Sequence, residues 1–147
     1  MRQVADISAV IVAAIALSTA LVGAWAWWRS SGAGLFWGMW RTTQAATTVL
    51  AAVALVALIT GLDPKSGLFW LYMLLPIAVS IIAEQLRIAT AQYVLDKHGL
   101  EDAQAVGRLE PVKQREIVLQ IAGRELATAA LACAVIAFLA LRVIWTA

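Results

Sequence analysis

Four apolar runs, each long enough to cross a lipid bilayer, take up most of this chain of 147 residues. They cover residues 4–28, 37–61, 68–89 and 117–145, and none carries a charge at its centre. A helix crosses the hydrocarbon core with about 20 mostly apolar residues, because only a helix satisfies its own backbone there. Hydrophobic residues make up 63% of the chain and charged ones 14%, with mean hydropathy +0.84. A soluble domain carries about 25% charge, so these runs read as membrane spans.

Helical pattern continues beyond the third and fourth runs. The third helix is expected over 68–98, with Gly99 as its left-handed stop. The fourth is expected over 111–145, starting at Pro111, a residue the first helical position tolerates. In the connecting segment 99–110, Leu100, Ala103, Val106 and Leu109 recur every third residue and give one apolar edge, with Gly107 as a stop. This segment is expected either to pack on the inner face of its own bundle or to dock another protein. The expected fold is all-α: an integral membrane four-helix bundle of antiparallel hairpins, one transmembrane domain over 1–147, with helices three and four extended into the cytoplasm.

An even number of spans puts both termini on one side. That side holds Arg2, Lys65 and Arg142, while the other holds Arg29, Arg41, Lys97, Arg108, Lys113 and Arg115. Counting Lys and Arg only, the richer side is cytoplasmic, so both termini are expected outside and the loops after spans one and three inside. Ala-, Val-, Leu- and Arg-rich usage suggests a high-GC bacterium, hence its plasma (inner) membrane. The first run is too long for the roughly 7–15-residue core of a secretory signal and reads as an uncleaved span. Trp25, Trp27, Trp28, Trp37 and Trp40 are expected as anchors at the inner interface, with Phe69, Trp70, Tyr72 and Trp145 at the outer one.

Small residues recur in the first run (Ala9, Ala13, Ala16, Ala20, Gly23) and the fourth (Ala127, Ala130, Ala134, Ala137). Helices in lipid associate by close approach over such stripes. Pro76, inside the third run, frees the carbonyl of Tyr72 and is expected to kink the helix.

Depth counted at about 1.5 Å per residue gathers Arg41, Glu84, Arg87, Arg124 and Glu125 into one layer at the cytoplasmic boundary. Gln44, Thr47 and Thr48 extend it slightly deeper. Ionised groups in spans are costly and tend to pair, so Glu84 is expected to meet Arg124, and Arg87 to meet Glu125. Three Arg against two Glu leaves one cation over. Arg41 is the expected surplus, available to a lipid phosphate or a partner's carboxylate.

Chemistry is otherwise sparse. Cys133 is the only cysteine and His98 the only histidine, so no disulfide, thiolate metal site or two-His haem can be assembled from this chain. No nucleophile lies near a base at catalytic spacing, and no phosphate-cradling Gly loop occurs. The reading is of no catalytic residue, no metal and no cofactor. The near balance of acids and bases from Asp96 to Glu116 argues against nucleic-acid binding. Three functions remain open: a non-enzymatic accessory or assembly protein packing with a larger membrane complex or with itself; a small oligomeric channel or transporter gated at the Arg/Glu layer; and a lipid-headgroup-binding protein. The expected partners are membrane lipid and copies of itself or other membrane subunits.

Overall fold

The computed structural model describes residues 1–147 and is entirely helical, with no strand. Its elements are α1 (Arg2–Arg29), α2 (Ala33–Ile59), α3 (Leu68–Lys97), the short α4 (Ala103–Val106) and α5 (Pro111–Thr146). The four long helices are each long and apolar enough to cross a membrane. Ala and Leu, both strong helix formers, fill them, and the breaks between them fall where the sequence supplies special backbone.

Two of those breaks share one motif. α3 ends with Gly99 left-handed (φ 70°), Leu100 N–H bonded to the Leu95 carbonyl and Gly99 N–H to that of Asp96. α2 ends alike, with Gly61 at φ 72°, Leu62 N–H on Ala57 and Gly61 N–H on Leu58. Both are Schellman stops, in which the residue past the glycine also folds back onto apolar neighbours. Leu62 packs on the main core and Leu100 on the α4 side cluster. The α1–α2 turn is shorter than hydropathy implies. Only residues 30–32 lie outside helix, because Ser30 and Gly32 both take left-handed backbone (φ 51° and 81°) and reverse the chain at once.

Contacts alternate the helix directions. Thr19 meets Thr43 across α1 and α2, Arg87 meets Glu125 across α3 and α5, and Arg2 reaches the Asp63 carbonyl at 3.0 Å. α5 packs most extensively, against α1 and α3; α1 also packs on α2, α2 and α3 meet less, and α2 barely touches α5. Ala9, Ala13, Ala16, Ala20 and Gly23 are all buried on α1. A Cβ on Gly23 would lie 2.6 Å from the Phe36 ring and 2.8 Å from Ala130 Cβ, so glycine is required where α1, α2 and α5 converge. The expected α5 stripe is met in half: Ala137 is buried and Ala130 packs on the core, whereas Ala127 and Ala134 are exposed and Ala129, Cys133, Ile136 and Ala140 are buried. α5 serves two neighbours, and in so Ala-rich a helix several phases look equally small.

Pro76 sits buried inside an unbroken α3. At the α5 start, Pro111 occupies the first turn, and Gln114 donates to the carbonyls of Gly107 and Leu109. The connecting segment packs on its own chain: Leu100, Val106 and Leu109 close over Val94, Leu95 and Ile117.

Candidate functional site

Glu84, in the second half of α3, is the hub of the main polar cluster. Its Oε1 accepts from Trp40 Nε1 at 2.9 Å, Gln44 Nε2 at 2.6 Å and, more distantly, Arg41 at 3.5 Å. Its Oε2 accepts from Arg87 at 2.9 Å. Helical spacing sets this up. Trp40 and Gln44 are four apart and share the α2 face turned to α3, while Arg87 follows Glu84 by three residues. A second arm of Arg87 reaches Glu125 of α5 at 3.8 Å, and its guanidinium lies over the Trp37 ring, 4.2 Å from the centroid. Seven side chains from α2, α3 and α5 thus form one network.

The structure brings together Arg41, Gln44, Glu84, Arg87 and Glu125 and leaves Arg124 outside. Arg87 pairs with Glu125 at the expected contact, but Glu84 takes Arg41 and Arg87 in place of Arg124. The cation left over is therefore Arg124, not Arg41. Adjacent residues on a helix point about 100° apart; with Glu125 turned toward Arg87, Arg124 projects sideways over the Tyr93 ring at 5.1 Å. Arg41 bonds Gln44 at 2.9 Å.

The tryptophans divide. Trp25, Trp27, Trp28 and Trp145 are exposed, as anchors would be, and Arg29 lies over the Trp25 ring. Trp40 is fully buried, and Trp37 and Trp70 are half-buried core neighbours. Phe69, expected in the outer belt, is also fully buried. A buried indole needs an acceptor for its N–H, and Glu84 supplies it to Trp40. That pairing was the part of the site sequence reading missed; the signal was Trp40 and Gln44 at i, i+4. Asp6 was passed over too. One of its carboxylate oxygens is buried without a partner near the chain's start.

A smaller polar group crosses α1, α2 and α5: Thr19 and Thr43 hydroxyls are 3.0 Å apart, and the Cys133 thiol lies against Thr43. With one proton each, one threonine donates to the other and the second donates to the carbonyl four residues back, at Ile15 or Met39, so these groups are satisfied internally. His98 is exposed and donates Nδ1–H to the Val94 carbonyl. No group of three His, Cys, Asp or Glu is placed to hold a metal.

Three donors converge on Glu84 Oε1, whereas Oε2 is held by Arg87 alone and the side chain stays 29% exposed. A cleft of about 380 Å³ between α3, α4 and α5 does reach the cluster, lined by Glu84, Arg87, Gln92, Asp102 and Glu125. Fold and cluster together define a class no finer than an all-helical protein with four helices of membrane-crossing length. Comparison with protein-family models, curated proteins and solved structures finds no significant match to this chain.

Proposed function

We propose that this chain is a multi-pass inner-membrane protein of a bacterium, a four-helix bundle that works as a non-enzymatic assembly subunit, packing with itself or with other membrane proteins. Solvent requirements support the membrane part. Leu21, Ile59, Leu131 and Phe138 are exposed at 64%, 84%, 68% and 60%, a surface stable only in an apolar medium.

The observation that carries the assembly role is the way Glu84 ties α2 to α3. Four donors from α2 and α3 close on one carboxylate, which makes the most polar point of the long helices a brace. Beyond this brace, the outer side of α3 presents a shallow apolar hollow of about 340 Å³ between Trp70, Leu71, Leu74, Leu75 and Ala78. In lipid such a surface gains from a second helix through close packing. Native mass spectrometry after mild extraction tests the reading: a defined oligomer or a stoichiometric membrane partner is expected. A bare monomer under every mild detergent would overturn it.

The cleft beside Glu84 and Glu125 favours a second reading, a small channel or transporter gated at this layer. On that reading flux into proteoliposomes changes with Glu84→Gln; the brace reading expects no flux in either protein.

A further inference from the structure

A partly enclosed cavity lies beside the Glu84 network. It measures about 410 Å³ and sits between the α1–α2 turn and α5, with Trp27, Trp37, Gly32, Gly123 and Glu125 among its lining residues. That volume suits a small-molecule headgroup. Its walls are mostly apolar and aromatic, and its one ionised group is a carboxylate.

Glu125 is short of partners. Its side chain is 22% exposed, and its single ion pair is the long 3.8 Å contact to Arg87. Arg87 is committed elsewhere, through a 2.9 Å bond to Glu84 and through its stacking on Trp37. A half-buried carboxylate so placed is completed by N–H donors from a ligand. Trp27, exposed at the rim, adds a ring face that favours a cation. An anion alone would meet Glu125 unfavourably. A primary ammonium fits, since it has three N–H donors and a compact charge.

We infer that this cavity binds the primary ammonium of an aminophospholipid headgroup, with Glu125 as acceptor and Trp27 as the flanking ring. The inference rests on the membrane-spanning reading, which places this end of the helices at headgroup depth. α2 begins on the same wall at Gly32 with no side-chain cap and no acid in its first turn, leaving room for the phosphate that accompanies the ammonium. Glu125 and the rings, not this terminus, select the ligand.

The test is native mass spectrometry of the whole protein titrated with phosphatidylethanolamine, and with phosphatidylcholine and phosphatidylglycerol of the same acyl chains. Phosphatidylethanolamine should be retained over both, and Glu125→Gln should weaken it about tenfold, the loss of one charge-assisted contact. Gly123→Leu is the second variant. A Cβ at Gly123 meets nothing within 4 Å, so a larger side chain can fill the cavity with Arg87 and Glu125 left in place. It should displace the lipid in a normally folded protein. Equal retention of all three lipids, or unchanged binding in both variants, overturns the inference. Soluble O-phosphoethanolamine competing as well as the lipid does overturns the lipid as the source of the ammonium. Failure here is separable from failure of the spanning reading, which cysteine labelling from each side of the membrane tests without any lipid titration.

Discussion

Glu84 and Trp40 show what one pair of residues can require of a whole helix interface. Trp40 is fully buried, so its indole N–H has no water to turn to, and an unsatisfied buried donor costs about 1–3 kcal/mol. Glu84→Ala should therefore destabilise the protein by about 2 kcal/mol in a detergent-unfolding titration. Glu84→Gln should cost less, because an amide oxygen still accepts from Trp40 and Gln44 and only the charge pairing with Arg41 and Arg87 is lost. Equal effects of the two variants would mean that charge, not hydrogen bonding, holds α2 on α3. Gly23 supplies a second residue-scale expectation. Gly23→Ala puts a methyl where Phe36 and Ala130 already stand, and should cost about 1–3 kcal/mol as overpacking in the same titration. Counting depth along each run was enough to collect the charged residues at one level. It was not enough to pair them, because rise says nothing about azimuth: Arg124 and Glu125 share a depth and point to different neighbours.

At the scale of elements, the helix ends were more legible than the helix faces. Gly99 and Pro111 carry backbone restrictions that act locally, so their roles as stop and start can be read from the chain alone. The buried face of α5 cannot, since it depends on which helices flank it and the sequence is too rich in alanine to mark one phase. α4 sits between these cases. Asp102 caps it by accepting the Ala105 N–H at 3.0 Å, and its apolar edge closes over Val94, Leu95 and Ile117. The stop at Gly99 holds that segment in place. Gly99→Ala forces a left-handed L-residue, at a cost of about 1–2 kcal/mol. Hydrogen exchange at the Leu100 amide, bonded to the Leu95 carbonyl, should then accelerate about tenfold or more. Exchange in the middle of α3 should not change. Acceleration throughout α3 would show that α4 is coupled to the whole helix.

For the whole molecule, the decisive question is which solvent the helices occupy, and the one native cysteine makes it easy to ask. Cys133 is fully buried on α5, so a membrane-impermeant maleimide should leave the unmodified protein unlabelled. Cysteines introduced at exposed positions then report on each end separately. Asp63→Cys lies in the α2–α3 turn, next to the N-terminus by the Arg2 contact. Ser31→Cys lies in the α1–α2 turn, and Gln104→Cys in α4, at the opposite end. None of the three changes alters a Lys or Arg, so the charge bias that sets orientation is preserved. If the four long helices cross the bilayer with both termini outside, intact cells should label Asp63→Cys at once. The other two should label only after the membrane is opened. The reverse pattern would keep the bundle and turn it over, placing the Glu84 network and the Glu125 cavity at the outer leaflet. Immediate labelling at all three positions would leave no bilayer between the two ends, and with it no solvent able to cover Leu21, Ile59, Leu131 and Phe138.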